Sequence, residues 1–340
     1  RLFLGNAGVI ECWHLSTLSR LWKLQTTALK FECLSLSPTG QYLVSGHIQQ
    51  ITKLWDIEQQ RCLRTWQGHL PMTLGAAFDE TGRYLLTGHN TVVRCWSIET
   101  GDCRQTFYGH QDTVWRVAWH PNGEQIISCS NDGTLRFWQQ ATSRCSQVLS
   151  SALSDGFWNL AVNSQSWQLA VSDHSGHLFL VDLTRNDRLD CFIDGPDWIL
   201  SLAFSPDGKL LATGTEPGFF KIWDVANRTC LHTFTIHQPV LYVAFSPDGQ
   251  TLAATVGNQV QLWQVATGTP HSAIALLDDR AHSLAFTPDG QQLLVGTFGR
   301  ALGCWQGAPW QCQWQIKRAT AGVGFITIAP GGQPFVTNTS

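Results

Sequence analysis

Charged side chains are scarce in this sequence. Only 14% of its 340 residues are Asp, Glu, Lys or Arg, and 22 Lys and Arg residues against 25 Asp and Glu residues leave a formal net charge of −3. Proteins that bind nucleic acid without sequence preference present a stripe of cationic residues to the phosphates. The composition therefore argues against nucleic acid as a partner.

Long hydrophobic runs are absent as well. A membrane-spanning helix needs about 18 consecutive apolar residues, and no run approaches that length or shows the pattern of a signal peptide. We therefore expect no membrane partner. The chain begins at Arg1 rather than Met, which we interpret as a segment cut from a longer protein.

Motifs that mark catalysis or cofactor binding are missing too. There is no Gly-x-x-x-x-Gly-Lys-Ser/Thr phosphate loop and no Gly-x-Ser-x-Gly elbow, and Gly322-Val-Gly324 stops short of a dinucleotide fingerprint. His174 and His177 come nearest to a ligand pair, but acidic and Cys partners do not recur around them at a metal-binding spacing. We predict no enzyme activity, no metal and no cofactor.

What the sequence does contain is an internal repeat. Marker tryptophans recur every 40 to 43 residues once Val181 is counted in the one vacant place, and they are Trp13, Trp55, Trp96, Trp138, Trp223, Trp263 and Trp305. Glycines at the first turn of each unit follow the same period. Two markers that agree indicate a tandem array of one supersecondary unit, which accounts for residues 1–340 as a single domain.

The most complete unit runs from Gly109 to Leu149. It contains four short runs, residues 114–119, 125–129, 135–138 and 145–149, and turn residues separate the first three of them. Runs of strand length that alternate with turns predict a four-stranded antiparallel meander.

The repeated unit resembles the WD-repeat β-propeller family, whose units carry a Gly-His near the start and a Trp-Asp near the end. The Gly-His pairs here are Gly68-His69 and Gly109-His110, and the Trp-Asp pairs are Trp55-Asp56 and Trp223-Asp224. The resemblance covers essentially the whole chain. It implies an all-β fold, a β-propeller of four-stranded antiparallel blades.

The two ends of the chain bear on the number of blades. Residues 1–25 supply the last strands of a blade, and residues 323–340 supply the first runs of one, Val323–Ile328 and Gln333–Thr337. Together they form the closing blade, because propellers of this family commonly close by pairing their terminal strands. We favour eight blades, with seven as the alternative, and the first strands begin near Phe31, Thr73, Val114, Phe157, Ile199, Val240, Ala281 and Val323.

The resemblance also implies a structural role for four polar positions. In the family, a His, a strand Ser or Thr, a turn Asp and the strand Trp form a buried hydrogen-bond relay, and the matching residues are His110, Ser128, Asp132 and Trp138. His, Asp and Ser also compose a hydrolase triad. We prefer the structural interpretation, because these positions belong to the framework of the fold.

The relay of the preceding unit is expected to be incomplete. That unit keeps His69, Thr87 and Trp96, but His89-Asn90 stands where the acid is expected.

The eleven cysteines follow the repeat. Six occupy the start of the outer run in different units, Cys62, Cys103, Cys145, Cys191, Cys230 and Cys312, and three precede a marker Trp, Cys12, Cys95 and Cys304. Equivalent points in separate blades lie too far apart for a disulfide. We predict free thiols that pack as small buried hydrophobic side chains in a reducing compartment, and we expect a cytoplasmic protein.

Residues that differ between units are the candidates for partner binding. In the family, the loops that enter first strands and those that join second to third strands lie on the usual recognition face. At these positions the sequence places Trp115, Arg116, Trp158, Trp198 and Tyr242, together with Asn131. Trp, Tyr and Arg dominate the energetics of many interfaces. The alternative is that the rings plug the channel or pack between blades.

We interpret the chain as a non-catalytic scaffold that binds a protein or peptide on one face of a monomeric ring, or of a ring within a larger chain. One alternative is the C-terminal sensor of a larger signalling protein, such as an NTPase or a kinase. Another is an enzyme with its active site in the central channel. Fold alone does not separate them, because one fold hosts many functions.

Overall fold

The architecture is given by a computed structural model, which describes residues 2–6, 9–13, 20–25, 31–47, 51–67, 73–163, 165–185, 188–193, 195, 197–276, 280–297, 301–307, 310–317 and 325–328. Within these ranges the regular secondary structure consists of 32 β-strands. The same ranges contain no helix that is long and apolar enough to cross a membrane.

The strands follow one another in short antiparallel runs. Their bounds are β1 (Leu2–Asn6), β2 (Val9–Trp13), β3 (Arg20–Gln25), β4 (Phe31–Leu36), β5 (Tyr42–His47), β6 (Ile51–Asp56), β7 (Arg61–Gln67), β8 (Thr73–Phe78), β9 (Tyr84–His89), β10 (Val92–Ser97), β11 (Cys103–Tyr108), β12 (Val114–Trp119), β13 (Gln125–Ser130), β14 (Thr134–Gln139), β15 (Cys145–Ser150), β16 (Phe157–Asn163), β17 (Gln168–Asp173), β18 (Leu178–Asp182), β19 (Asp190–Ile193), β20 (Ile199–Phe204), β21 (Leu210–Thr215), β22 (Phe219–Asp224), β23 (Thr229–Thr235), β24 (Val243–Phe245), β25 (Thr251–Val256), β26 (Gln259–Gln264), β27 (Thr269–Ala275), β28 (Ala281–Phe286), β29 (Gln292–Thr297), β30 (Ala301–Gln306), β31 (Gln311–Lys317) and β32 (Phe325–Ile328).

These strands form eight four-stranded sheets in the described residues. Seven sheets consist of four consecutive strands each, from β4–β7 to β28–β31. The predicted all-β architecture of four-stranded antiparallel sheets is thereby confirmed, and the sheet count equals the eight units favoured from the sequence. The chain divides into two compact units, one of residues 28–198 and one that combines residues 1–27 with residues 199–338.

The eighth sheet joins the two ends of the chain in the order β3-β2-β1-β32. Strand β1 pairs antiparallel with β32, from Leu2 opposite Ile328 to Gly5 opposite Phe325. Strand β1 therefore takes the second place in this sheet. The predicted run at Gln333–Thr337 lies outside the described residues, and closure of a complete ring stays a prediction.

The predicted starts of the first strands are confirmed for β4, β8, β12, β16, β20 and β28. Val323 lies outside the described residues, and the strand predicted to begin near Val240 begins at Val243 as β24. Here the side chain of Thr255 interrupts the ladder. Its hydroxyl accepts the backbone N–H of Tyr242 at 2.9 Å, in the place of a backbone carbonyl.

The first turn of a sheet is held by its own side chains. In the turn Ser205-Pro-Asp-Gly208, the Ser205 hydroxyl donates to the Asp207 carboxylate at 2.7 Å and accepts the backbone N–H of Leu210 at 2.9 Å. Gly208 has a φ of 72°, which a residue without Cβ adopts without strain. This chemistry explains why the glycine marks the period of the sequence.

The hydrophobic core lies between neighbouring sheets of the same unit. In the unit of residues 28–198, one cluster joins Phe137 of β14 to Phe157 of β16, both fully buried. In the other unit, a second cluster joins Phe220 of β22 to Leu252 of β25. Burying each such side chain contributes about 1.5–3 kcal/mol. A sheet therefore gains stability only when it is stacked on another sheet.

Candidate functional site

The polar residues of the sheet β12–β15 form a continuous relay. His110 Nδ1 lies 2.9 Å from an Asp132 carboxylate oxygen, and His110 Nε2 lies 2.8 Å from the Ser128 hydroxyl. Trp138 donates its indole N–H to the same hydroxyl at 2.8 Å. The structure thus brings together the four residues that the resemblance assigned to this network.

Proton positions in the relay follow from the charges of its members. Burial works to raise the pKa of Asp132, but hydrogen bonds from His110 and Thr134 outweigh it and lower that pKa well below its usual range. An ionised Asp132 only accepts, so His110 carries its proton on Nδ1. Burial lowers the pKa of His110 and keeps the ring neutral at neutral pH. The Ser128 hydroxyl then donates to Nε2.

This relay shares with a hydrolase triad only the series of hydrogen-bonded groups, Asp132, His110 and Ser128. Ser128 is fully buried and His110 is 4% exposed, so a substrate has no access to the hydroxyl oxygen. That oxygen also already accepts the Trp138 indole. The relay therefore stabilises the sheet by satisfying each of its buried polar groups.

Two other sheets use a strand histidine for the same purpose. His89 Nε2 lies 2.7 Å from the Thr87 hydroxyl, which also accepts the indole N–H of Trp96 at 2.7 Å. The sequence interpretation found His89-Asn90 where the acid of the relay is expected. In the structure His89 instead takes the part that His110 plays in the sheet β12–β15. His69 lies outside the described residues.

The second example involves His47 in the sheet β4–β7. Its Nε2 lies 2.9 Å from the Ser45 hydroxyl, which accepts the indole N–H of Trp55. Burial, followed by the charge of Lys53, lowers the pKa of His47 to about 4. Burial and then Arg94 lower the pKa of His89 to about 4. Both rings are therefore neutral parts of the framework, and the sequence missed them because their spacing differs from that of His110.

Register shifts at the start of several first strands each pass over one residue. The register of β12 against β13 shifts between Val114 and Arg116, and the register of β16 against β17 shifts between Phe157 and Asn159. Trp115 and Trp158 are the residues that these register shifts pass over. Bulges re-aim side chains and are common next to functional sites.

Trp115 and Trp158 contact each other and two further rings. Their centroids lie 5.7 Å apart in an edge-to-face arrangement, and Trp198 lies 5.3 Å from Trp158. His174 completes the group, with its ring 5.9 Å from both Trp158 and Trp198. We call Trp115, Trp158, Trp198 and His174 the aromatic cluster. All four side chains are half-buried.

Close backbone packing holds the loops around the aromatic cluster. A Cβ on Gly176 would lie 2.6 Å from the Asp197 carbonyl oxygen, and the φ of Gly176 is 93°. Glycine is thus required where the β17–β18 turn meets the segment before Trp198. The backbone N–H of His174 donates to the Gly156 carbonyl at 3.3 Å, which ties the same turn to the loop before β16.

The remaining predicted partner residues lie in different surroundings. Arg116 is 7% exposed and donates Nη1 to the Trp115 carbonyl at 3.0 Å, so it supports the backbone there and offers little surface. Tyr242 belongs to the other unit, where its ring packs against a core cluster. Asn131 is half-buried and donates its amide to Asp112 at 2.8 Å. His174 follows β17 as Asn131 follows β13, and sequence reasoning missed it as a site residue.

The ten cysteines that the structure describes have free thiols. Cys95 and Cys304, which precede marker tryptophans, are buried as predicted. The prediction of burial is wrong for the outer strands, since Cys62, Cys103, Cys191, Cys230 and Cys312 are exposed and Cys145 is half-buried. The fourth strand forms the sheet edge, and its side chains have no further strand beside them.

The geometry defines a repeat protein of stacked antiparallel sheets in which a strand hydroxyl accepts the indole of the third-strand Trp. A family model described as "WD domain, G-beta repeat" matches residues 25–56, 60–97, 101–139, 188–224 and 228–264, more than half of the chain. The chain belongs to the WD-repeat family.

Curated relatives are similar at a lower level. Protein tipD of Dictyostelium discoideum is 23% identical over 238 residues, 68% of this chain and 39% of that protein. Target of rapamycin complex subunit wat1 of Schizosaccharomyces pombe is 25% identical over 175 residues, 50% of this chain and 55% of that protein. Pre-mRNA-processing factor 19 of Oryza sativa subsp. japonica is 25% identical over 234 residues, 61% of this chain and 41% of that protein. The chain spans about half the length of these relatives or less.

Proposed function

We propose that this chain is a non-catalytic interaction scaffold that binds a protein or peptide through the aromatic cluster. The observation that carries this proposal is the pair of bulge residues, Trp115 and Trp158, in edge-to-face contact on neighbouring first strands. Both residues lie at the register shifts of their strands, and both side chains are half-buried. Half-buried tryptophans supply large contact areas at low entropic cost, which makes them frequent centres of binding energy.

Two indole groups in the aromatic cluster add support. The Nε1 atoms of Trp115 and Trp198 are buried and have no hydrogen-bond acceptor among the described residues. A buried donor without an acceptor costs about 1–3 kcal/mol. A partner that supplies a carbonyl after a small rotation of either ring recovers that energy, so binding is favoured at this place.

Membership of the family and the buried relay both support a non-catalytic role in binding. Wat1 is by its name a subunit of a complex. The Ser128 hydroxyl of the triad-like group is bonded to His110 and to the Trp138 indole inside the sheet, so it does not supply a nucleophile. A rigid framework with an aromatic cluster suits recognition.

Affinity capture from an extract of the source cells tests this proposal. The immobilised wild-type chain is compared with the double variant Trp115→Ala/Trp158→Ala, and bound proteins are identified by mass spectrometry. We expect the double variant to lose the specific partner by about tenfold or more, as for other aromatic interface centres. The control Tyr108→Ala removes a ring that is 74% exposed in the same unit and is expected to capture normally.

Stability must be measured beside capture, because Trp115 also packs against the core cluster of β12–β19. If the double variant unfolds, the single change Trp158→Ala replaces it, with folding checked by circular dichroism. Loss of the partner in a folded variant supports the proposal. Undiminished capture by a folded variant overturns it.

A further inference from the structure

We infer that the aromatic cluster binds a peptide segment that carries Lys or Arg side chains. This inference rests on the proposed function and names the chemistry of the partner. It follows from how acidic and basic residues are distributed between the two ends of the sheets in the unit of residues 28–198.

Three carboxylates surround the aromatic cluster at equivalent points. Asp112, Asp155 and Asp197 each lie two residues before the first residue of a first strand, β12, β16 and β20. Asp112 accepts the Asn131 amide at 2.8 Å, and Asp155 accepts the Ser175 hydroxyl at 2.7 Å. Asp197 immediately precedes Trp198. In the sequence, Asp112 and Asp155 come shortly before Trp115 and Trp158.

Close contacts connect these loops into one surface. The loop of Asp155 meets the turn of Asn131 at Gly156, where a Cβ would lie 2.7 Å from the Asn131 Oδ1 atom. The turn of His174 meets the loop of Asp155 through Ser175, and it meets the segment of Asp197 at Gly176. Trp115 and Trp158 lie against His174 in the same turn. The carboxylates and the rings therefore form one continuous patch.

Cations are missing from the sequence of this patch. Residues 109–113, 131–133, 151–156, 174–177 and 194–198 contain no Lys or Arg. Arg144, Arg185 and Arg188 lie instead in the segments that join third to fourth strands. In an antiparallel meander those segments lie at the opposite end of the sheet from the loops that enter the first strand. The charged residues of these five segments are therefore all acidic, while Arg116 beside Trp115 is 7% exposed and Arg136 reaches Gly109 from β14.

Acidic rims and tryptophan faces are complementary to the same ligand. A Lys or Arg side chain lies favourably over an indole face, and the attraction grows as the pair loses solvent. Carboxylates at the rim attract the cation and fix its register, and they repel nucleic acid, anionic lipid and acidic peptides. Asp132 is excluded from this role, since its side chain is 6% exposed and bonded to His110 and Thr134.

A fluorescence anisotropy titration tests the inference. The probes are labelled synthetic peptides of repeated Gly-Ser-Arg, Gly-Ser-Gln and Gly-Ser-Glu units, with equal length and blocked ends. We expect the whole chain to bind the Arg peptide at low salt, at least about tenfold more tightly than the Gln peptide, and to leave the Glu peptide unbound.

Matched variants locate the binding. The triple change Asp112→Asn/Asp155→Asn/Asp197→Asn removes the rim charges and keeps one accepting oxygen on each side chain. The control Glu80→Gln/Glu99→Gln/Glu124→Gln removes the same charge from exposed turns at the opposite end of the sheets. We expect the first triple variant to weaken Arg-peptide binding about tenfold and the control to stay within about twofold. If the first does not fold, Asp155→Asn/Asp197→Asn is used.

Several results would overturn the inference. They are equal binding of the Arg and Gln peptides, equal losses in the two triple variants, and no binding of the Arg peptide. If the Trp115→Ala/Trp158→Ala variant loses its captured partner while the Arg peptide does not bind, this inference fails and the proposed function stands. If that variant captures normally, the proposed function fails as well.

Discussion

His89 lies two residues after Thr87 on strand β9, and its Nε2 atom lies 2.7 Å from the Thr87 hydroxyl. The same hydroxyl accepts the indole of Trp96. In the sheet β12–β15 a histidine from the preceding loop, His110, serves the equivalent hydroxyl of Ser128. The strand hydroxyl that accepts the Trp indole is therefore bonded by a histidine from either of two positions in the repeat. Both solutions bury a neutral imidazole.

These buried imidazoles make stability depend on pH. The pKa values of His47 and His89 are about 4 in the folded chain, against about 6.5 in the unfolded chain. Because the unfolded chain binds the proton more tightly, the stability of the fold is full above pH ~6.5 and falls as the pH drops toward 4. Each histidine contributes a loss on the order of 3 kcal/mol over that range.

Urea unfolding at pH 7 and at pH 5 measures this effect. The variant His89→Gln, which does not titrate, is expected to show a smaller difference between the two pH values than the wild type. Exposed His237 supplies the control, since His237→Gln removes an imidazole from the surface. Equal pH dependence in the wild type and in His89→Gln contradicts the prediction.

Ser128→Ala is expected to destabilise the chain strongly. The change leaves the Trp138 indole and the His110 ring without their shared partner inside the sheet. Two orphaned buried groups cost about 2–4 kcal/mol in the free energy of unfolding. Ser146→Ala removes an exposed hydroxyl from the outer strand of the same sheet and is expected to cost less than about 1 kcal/mol. Chemical denaturation measures the free energy of unfolding of both variants. Similar small losses in the two would contradict the stabilising role of the relay.

The thiols are expected to react in two groups. Cys62, Cys103, Cys191, Cys230 and Cys312 are exposed and are expected to alkylate readily in the native chain. Burial raises the pKa of Cys95, Cys129 and Cys304 to about 12, so these thiols are expected to react only on unfolding. Peptide mapping after iodoacetamide treatment, with and without urea, distinguishes the groups. Early alkylation of Cys129, which is fully buried, runs against the structure.

Sequence reasoning located the sheets because turn glycines and marker tryptophans are fixed by the backbone. Gly208, with its positive φ, stands where the first turn needs it, and Trp138 stands where the Ser128 hydroxyl accepts its indole. The same reasoning placed Trp115 and Trp158 at equivalent positions of two successive repeats. The register shift at these residues is a property of strand pairing, and no residue type marks it.

Other features depended on contacts that no single sequence reveals. His174 appeared as half of a weak ligand pair, and only the folded chain shows its ring against Trp158. Arg116 was a candidate for partner binding, although its guanidinium donates to the Trp115 carbonyl. The outer cysteines shared a repeat position, which fixed their place in the sheet and left their exposure undetermined.

Site-specific photo-crosslinking tests the central claim most directly. A photoreactive benzophenone amino acid replaces Trp158 in one sample and exposed Tyr108 in another, and each is irradiated in an extract of the source cells. The aromatic cluster is predicted to yield a specific crosslinked protein from position 158 and none from position 108. No specific crosslink at position 158, or the same products from both positions, contradicts the claim that this cluster binds the partner.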